Sequence, residues 1–455
     1  MDPPGYGYEY WKHYHSDCEL VHVIWTDYCG ILHEKLVPAD SFGRMYRKHA
    51  YNIFDSDDLI PLTVSGAALT SLPDGKSAAE RIYPSYNTYN LTPDYDTVQP
   101  CIDNRSRATV FAKVEVGDGP LADPREILKE VCEGLGSGKK QKIRASLEFQ
   151  FVLRNLSDEK YTDPMAMAQL RTYATGLSIR SGGVAKDGVV TIALFTSDNV
   201  LESVDNFYRL KRALQSIAGS EGLRPSFFFA SEEVSGAAFS GTPLDVMCRN
   251  ELRCRLHLAL ASGKYARDFA TGIMEAEEET SANPSIYSFA KPSWLTYGQR
   301  RQYRGDLSPE REWMTWGARN SKTTINFPEG CEVGRLEFGD IDCMANMYLV
   351  GAAALILGTR KIAHPVALEN IPQATDVNEY DAGFTGSRFF ETLRVPLSGL
   401  LACHSIRQSA RLHGSLLRDT WEAYLVVRKM EDKSIVEMVA HGRATSAREV
   451  LEKWY

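Results

Sequence analysis

The chain has 455 residues, of which 44% are hydrophobic and 24% charged, and its formal net charge is -8. This length supports a large buried core and predicts about two or three domains. Mixed charges with an acidic excess argue against a nucleic-acid or anionic-membrane surface, because such partners select clustered Lys and Arg. Small molecules and other protein subunits are therefore the expected partners.

The cysteines and the N-terminal segment indicate a cytoplasmic protein. The nine cysteines include no CxxC pair and no even spacing, so reduced thiols are expected rather than a disulfide scaffold. Residues 1–17 contain no apolar run typical of a signal peptide, and they are predicted to form an irregular arm. The longest apolar run, Met347 to Leu357, falls short of the roughly 20 residues needed to cross a bilayer.

The first predicted unit is a small strand-rich domain at residues 18–117. Val21 to Leu36 is typical of two short strands around a turn at Asp27 to Gly30, where glycine permits the backbone conformation of a tight turn. From Asp123 the pattern becomes helical, with this aspartate as a cap and a proline in the first turn. A larger mixed domain at residues 118–455 is therefore predicted to follow.

Alternation and helical periodicity predict the elements of this second domain. The predicted strands cover residues 143–153, 188–195, 225–229, 254–260 and 334–338. The predicted helices cover residues 164–176, 201–219, 261–275, 344–357 and 406–431. This combination indicates an antiparallel sheet with helices, which is an α+β domain.

One predicted strand directs a cation and a carboxylate to the same surface. Alternation points Arg335 and Glu337 to one face, while Leu336 and Phe338 enter the core behind them. Taken alone, such a pair is typical of a solvated strand. The strand continues through a short turn with two aspartates into Ala-Asn-Met-Tyr-Leu at 345–349, before a long apolar helix.

This arrangement resembles the signature of the glutamine synthetase family, in which an Arg-x-Glu strand leads to a helix that opens Ala-Asn-x-Tyr-Leu. Six further segments are similar to family motifs and follow the family's order: LTPDYDTVQP (91–100), ADPREILK (122–129), LEFQF (147–151), NPSIYSFAK (283–291), WGARN (316–320) and WEAYLVVRKMED (421–432). The resemblance implies a small β-grasp-type domain, then a catalytic domain with a curved antiparallel sheet and surrounding helices. It also implies a ring-shaped homo-oligomer.

Family enzymes make a γ-glutamyl phosphate from glutamate and ATP, then let ammonia or an amine displace the phosphate. They hold Mg²⁺ or Mn²⁺ with five Glu and one His, and the resemblance retains two of these ligands here, Glu148 and Glu337. The other four positions hold neutral or cationic side chains: Gln150, Val184, Thr191 and Arg255. We therefore expect no resident metal, because hard divalent ions require oxygen ligands and charge compensation.

Substrate-recognition positions differ from the family in the same way. A family arginine two residues beyond the retained glutamate is replaced by Gly339, and another corresponds to Lys291, which keeps the charge but loses the planar fork. The expected substrate-binding residues are Arg335, Lys291, Asn250, Arg319 and Gln150.

Three hypotheses follow for function. The first is a repurposed enzyme of specialised metabolism that needs neither metal nor ATP. It would perform acid–base chemistry, such as cyclisation, isomerisation, condensation or hydrolysis, on a small carboxylate-containing metabolite. Its catalytic residues would be His257, Glu148, Glu337 and Arg255.

The second hypothesis is an ATP-dependent ligase that joins glutamate or a related carboxylate to an amine with Mg²⁺ or Mn²⁺. The third is a non-catalytic ligand-binding or regulatory subunit. In this third case Arg255 fills the former metal site and pairs with Glu148 and Glu337 as a buried ion network.

Overall fold

The computed structural model describes residues 17–51, 62–64, 69–70, 72, 74, 89–101, 103–104, 106–115, 123–136, 143–155, 179–184, 188–227, 252–278, 286–290, 316–320, 323–359, 415–444 and 450. Two β-sheets and their packed helices make up this part of the chain, which confirms the predicted α+β class. The predicted arm at 1–17, except for its last residue, and the predicted helix at 164–176 lie outside the described residues. Within these ranges, no helix has the length and apolar character required to span a bilayer.

The N-terminal sheet contains six strands: β1 (Leu20–Thr26), β2 (Leu32–Pro38), β3 (Thr63–Val64), β4 (Tyr89–Pro93), β5 (Gln99–Pro100) and β6 (Arg107–Glu115). Their order is β2-β1-β6-β4-β3, and β5 pairs with β6. β1 and β2 pair antiparallel, which confirms the predicted hairpin, whereas β1 and β6 pair parallel.

The turn of this hairpin approaches the rest of the protein closely at a glycine. Gly30 has a φ of 82°, and a β-carbon there would lie 2.9 Å from Cα of Asn346. Asn346 Nδ2 donates a hydrogen bond to the carbonyl oxygen of Asp27 at 2.7 Å. The hairpin is therefore anchored directly to the segment that precedes the long apolar helix.

The large sheet contains eight strands: β7 (Arg144–Asn155), β8 (Ile179–Val184), β9 (Val189–Leu194), β10 (Leu223–Ser226), β11 (Arg253–Ala259), β12 (Trp316–Ala318), β13 (Ile325–Phe327) and β14 (Arg335–Asp342). Their order is β12-β13-β14-β11-β7-β9-β8, and β10 pairs with β7. The pairs are antiparallel, as predicted, with the exception of the parallel pair β12–β13.

Seven helices accompany the two sheets in the described ranges: α1 (Ala39–Tyr51), α2 (Pro124–Gly136), α3 (Val200–Ser220), α4 (Gly263–Glu278), α5 (Ile286–Ala290), α6 (Met347–Thr359) and α7 (Ser415–Ala440). Asp123 caps α2 as predicted, because its Oδ1 accepts a hydrogen bond from the backbone N–H of Arg125 at 2.8 Å. The almost entirely buried α6 contacts α2, α3, α4 and α5. α7 extends beyond the predicted end at 431 and buries Ile435.

The large sheet has one apolar face and one face that carries polar groups. Phe149, Leu256 and Phe338 are fully buried on the helix side, and the ring of Phe149 meets Phe207 of α3 with 5.0 Å between centroids. Alternate residues point to the opposite side of the sheet. We call that side of β7, β11 and β14 the polar face; its members are Arg144, Ser146, Glu148, Gln150, Arg255, His257, Arg335 and Glu337.

Candidate functional site

The strand register aligns the polar face in rows across β7, β11 and β14. Arg255 lies opposite Glu148, and in the next row His257 lies between Ser146 and Glu337. Directly opposite residues of antiparallel strands project to the same side with their β-carbons about 4.5–5.5 Å apart. The register therefore brings together all four predicted catalytic residues, together with a serine that was not predicted.

Arg255 and Glu148 form a partly exposed ion pair. Nη1 of Arg255 lies 3.1 Å from Oε1 of Glu148, and the side chains are 29% and 21% exposed. A β-carbon at Gly339 would lie 3.9 Å from Cγ of Arg255, at the irregularity in the β11–β14 pairing. A β-carbon at this position would therefore be in ordinary van der Waals contact with the stem of the arginine.

His257 and Glu337 form the second charged contact of the polar face. Nδ1 of His257 lies 3.2 Å from Oε1 of Glu337, and Asn326 Nδ2 donates a hydrogen bond to Oε2 at 2.8 Å. Burial raises the pKa of Glu337, but the bonds from His257 and Asn326 and the charge of Arg255 outweigh burial and lower it. Glu337 is therefore a carboxylate at neutral pH, which favours a proton on Nδ1 of the imidazole.

The other ring nitrogen of His257 is in an unusual state. Nε2 is buried and makes no hydrogen bond among the residues that the structure describes. With the proton of the neutral imidazole on Nδ1, Nε2 would carry the lone pair. Buried polar atoms normally have a partner, so this nitrogen is an exception that a ligand atom, a water molecule or a neighbouring hydroxyl would satisfy.

A cavity of about 300 Å³ opens beside this histidine, and its wall includes Ser146, His257 and Glu337. This volume is within the lower range of small-molecule sites. An imidazole with a carboxylate partner can take up and return a proton. The cavity is thus a candidate active site for a small substrate.

Three arginines place positive charge on the same cavity wall: Arg144, Arg180 and Arg335. Arg144 and Arg335 lie on either side of Ala259, one row beyond His257, and Arg335 pairs with Glu329. Within the described ranges, Arg144 and Arg180 have no ion-pair partner. The arrangement favours an anionic ligand.

Gln150 is held by neighbouring strands rather than directed into the cavity. Its Nε2 donates to Oγ1 of Thr191 at 3.3 Å, and its Oε1 accepts from the backbone N–H of Arg253 at 3.0 Å. An amide and a hydroxyl therefore bond to each other where the family resemblance places two carboxylates. Val184, at another of the replaced ligand positions, is the last residue of β8 and is 40% exposed.

The remaining expected substrate residues do not reach this cavity in the described part of the chain. Arg319 is exposed after β12, has a φ of 58°, and does not line the cavity. Asn250 and Lys291 lie outside the described residues. Of the expected substrate-binding set, Arg335 is the cavity residue that the structure places directly.

Four residues at the site were missed from sequence: Ser146, Arg144, Arg180 and Asn326. The first two alternate with the buried Ala145 and Leu147 on the strand of Glu148, so the two-residue period was the available signal. No local pattern marks Arg180 or Asn326, because each reaches the site through pairing with another strand.

The residues present do not fit the divalent metal that the family resemblance implies. Glu148 already faces the guanidinium of Arg255, and Glu337 is engaged by His257 and Asn326. Across the described ranges, no group of three or more His, Cys, Asp or Glu is suited to hold a metal ion. A hard cation here would meet a fixed positive charge and too few oxygen ligands.

The family model for the glutamine synthetase catalytic domain matches residues 184–443, which is more than half of the chain. The protein therefore belongs to the glutamine synthetase family. No curated protein sequence gives a significant match.

Solved structures with a similar fold include GmaS in two states. Apo GmaS without ligand is 17% identical with a TM-score of 0.63, and the match covers 94% of this chain and 96% of that chain. GmaS in complex with ADP is 17% identical with a TM-score of 0.63, over 95% and 96%. A novel glutamine synthase homolog is 16% identical with a TM-score of 0.64, over 96% and 99%. At these identities the similarity shows a shared fold.

Proposed function

We propose that this protein performs acid–base chemistry on a small carboxylate-containing metabolite and requires neither a metal ion nor a nucleotide. The observation that carries this proposal is the pair formed by His257 and Glu337 at the cavity wall. The pair has the carboxylate on one ring nitrogen, while the other nitrogen has no partner among the described residues. That arrangement is typical of a general base oriented by a carboxylate.

His257 Nε2 would remove a proton from the substrate and return it later in the reaction. Glu337 would keep the proton on Nδ1 and stabilise the imidazolium that forms when Nε2 is protonated. Asn326 would fix the orientation of the carboxylate through its 2.8 Å hydrogen bond. Glu337 and Asn326 are thus positioning residues, and His257 is the group that transfers the proton.

The arginines of the cavity would bind the carboxylate of the substrate. Arg144 and Arg180 have no ion-pair partner in the described ranges, so their charge is available to a ligand. Arg255 pairs with Glu148, and its positive charge also helps to lower the pKa of Glu337. It would therefore help to keep Glu337 ionised. Cyclisation, isomerisation, condensation and hydrolysis each involve a proton transfer, which His257 would supply, and all four remain within the proposal.

The second candidate is an ATP-dependent carboxylate–amine ligase with Mg²⁺ or Mn²⁺. Its support is the shared fold with GmaS, which has been solved with ADP. The ion pair between Glu148 and Arg255 opposes it, because a cation occupies the place of a metal ligand. A non-catalytic subunit that binds a ligand and self-associates is the third candidate, and its support is the same paired polar face.

The test is a metabolite screen under conditions that separate the three candidates. Purified protein is incubated with small carboxylic acids and their esters and amides in EDTA without nucleotide, and products are identified by mass spectrometry. We expect turnover in the wild type and its loss in His257→Gln, which has a similar size and no imidazole. Lys433→Gln is the control, because it removes an exposed charge on α7 that does not line the cavity.

Each outcome assigns one candidate. Turnover that occurs only after addition of ATP and Mg²⁺ would establish the ligase and overturn the proposal. Ligand-induced stabilisation without turnover in either condition would establish a binding subunit. Equal turnover in His257→Gln and the wild type would remove His257 from the mechanism.

A further inference from the structure

We propose that Ser146 is a nucleophile at this site and forms a covalent acyl intermediate, with His257 as its base. This inference rests on the proposed acid–base function and names both a further catalytic residue and a substrate class. The juxtaposition that carries it is a single row of the sheet, in which Ser146, His257 and Glu337 stand side by side on β7, β11 and β14.

The register places the histidine between the serine and the glutamate. Ser146 and Glu337 are the direct cross-strand partners of His257 on its two sides, and all three residues line the same cavity. The hydroxyl of Ser146 does not bond to Nε2 in this structure. The β-carbons of directly opposite residues are about 4.5–5.5 Å apart, and we expect a rotamer change on substrate binding to close the contact. Catalytic hydrogen bonds are often long in ligand-free structures and shorten when substrate binds.

The state of the imidazole fits a base for this hydroxyl. Oε1 of Glu337 lies 3.2 Å from Nδ1 of His257, and Nε2 is without a partner among the described residues. A nucleophile, a base and a group that orients the base are the three parts of an activated serine. Three neighbouring strands supply these parts here, which holds them on a rigid element rather than on a loop.

The covalent step balances with the groups present. Oγ of Ser146 attacks the carbonyl carbon of an ester or amide while its proton passes to Nε2 of His257. The bond from that carbon to the leaving oxygen or nitrogen then breaks, and Nε2 returns the proton to the leaving group. Water, with His257 again as base, hydrolyses the acyl-serine and restores the hydroxyl.

Two arginines in the next row of the polar face indicate which acyl group the site would bind. Arg144 lies two residues before Ser146 on β7, and Arg335 lies two residues before Glu337 on β14. Because a strand rises about 3.3–3.4 Å per residue, this row lies about 7 Å from the serine row. An arginine side chain can reach back across part of this spacing. The expected substrate is thus an ester or amide whose acyl chain carries a free carboxylate a few carbons from the scissile carbonyl, as in a glutaryl group.

A chromogenic ester pair tests this inference. The mono-4-nitrophenyl ester of glutarate and the neutral 4-nitrophenyl butyrate are incubated with full-length protein in EDTA. Release of 4-nitrophenolate is followed, and acid-quenched protein is analysed by intact and peptide mass spectrometry. We expect faster cleavage of the glutarate ester and a glutaryl group on the peptide that contains Ser146.

Variants separate a nucleophile from a structural serine. Ser146→Ala is expected to reduce cleavage of the glutarate ester by about 100-fold or more and to abolish acylation. Arg144→Gln is expected to remove the preference for glutarate over butyrate. Ser203→Ala is the matched control: it is buried on α3, and its hydroxyl makes no hydrogen bond among the described residues.

Unchanged cleavage in Ser146→Ala would overturn the assignment of Ser146 as the nucleophile. Acylation at another residue would do the same, as would a wild-type cleavage rate no higher than the rate in buffer without protein. If His257→Gln still abolishes turnover in the metabolite screen, the proposed function stands without the nucleophile. If neither variant changes either assay, both proposals fall. Cleavage by Ser146→Cys with acylation of the new thiol would support the nucleophile even where Ser146→Ala is poorly folded.

Discussion

The protein contains two clusters of charged residues that use the same groups in different ways. In the helix-side network, Arg125 donates to both carboxylate oxygens of Asp205 at 3.0 and 2.9 Å, and to Asp94 at 2.9 Å. The hydroxyl of Tyr348 donates to Asp205 at 2.7 Å. On the polar face, the corresponding guanidinium of Arg255 has a single described carboxylate contact, with Glu148.

The difference lies in burial and in how completely the polar atoms are paired. Arg125 is 4% exposed, and burial disfavours its charge, but the carboxylate of Asp205 outweighs burial and raises its pKa. The polar face is partly exposed beside a cavity, and Nε2 of His257 has no partner in the described part of the chain. Saturated networks hold a fold together, whereas an unsaturated set next to a cavity is available to a ligand.

The largest expected effect comes from breaking the helix-side network. Arg125→Ala leaves the buried carboxylate of Asp205 without its bidentate partner, and we expect the free energy of unfolding to fall by about 3–5 kcal/mol. Urea denaturation measures this loss. Lys433→Ala, which removes an exposed i,i+4 pair with Glu437, is the control and is expected to cost less than about 0.5 kcal/mol. Equal losses in Arg125→Ala and Lys433→Ala would show that burial and complete pairing do not make the helix-side network stabilising.

Arg255→Ala on the polar face is expected to affect ligand binding rather than stability. We expect little change in melting temperature, because the side chain is partly exposed, and at least a roughly tenfold weaker affinity for glutarate, since Glu148 becomes an uncompensated negative charge. Calorimetric titration measures the affinity. Lys433→Ala removes one positive charge away from the cavity and serves as control. Unchanged affinity in Arg255→Ala would exclude this arginine from the site.

The lowered pKa of Glu337 predicts that the stability of the protein depends on pH. Its pKa is lowered in the folded protein, so its contribution to stability is fully present above the unfolded value of about 4.3. That contribution is lost as pH falls through the lower folded value. Denaturation between pH 7 and 3 should therefore show a larger acid-induced loss for the wild type than for Glu337→Gln. Parallel curves for the two proteins would show that the contact with His257 adds no stability.

Gln150→Glu is expected to have the smallest effect. The new carboxylate can accept from the N–H of Arg253 and from the hydroxyl of Thr191, so we expect a change below about 1 kcal/mol in unfolding free energy. We also expect no Mn²⁺ site, because Arg255 keeps its charge beside Glu148. Electron paramagnetic resonance would detect the ion. Binding by this variant alone would show that the arginine does not exclude metals.

The fold was predictable because the family motifs correspond to packed positions. Asp94, Arg125 and Tyr348 belong to three of the motifs, and the structure joins them in the helix-side network. Asn346, from the same motif as Tyr348, accepts hydrogen bonds from the first turn of α6 and bonds to the hairpin at Asp27. These motif residues have fixed partners in the core, so matching the motifs also located packed positions of the fold.

The site was predictable only in part. Alternation placed Arg335 and Glu337 on one face, and the structure confirms this, because Leu336 and Phe338 are buried behind them. Glu337 pairs with His257 and not with Arg255 because of the register between β11 and β14. A local sequence pattern does not reveal the register between two strands. Asn326 likewise reaches Glu337 from β13 across the β13–β14 pairing.

The most direct test of metal-independent chemistry on the polar face is a Mn²⁺ titration of the wild-type protein by electron paramagnetic resonance, with and without ATP. We expect the six-line signal of free Mn²⁺ to grow in proportion to the added ion, with no saturable site that depends on Glu148 or Glu337. Stoichiometric loss of that signal in the wild type, restored in the double variant Glu148→Gln/Glu337→Gln, would contradict metal-independent chemistry. It would make the ATP-dependent ligase the favoured function.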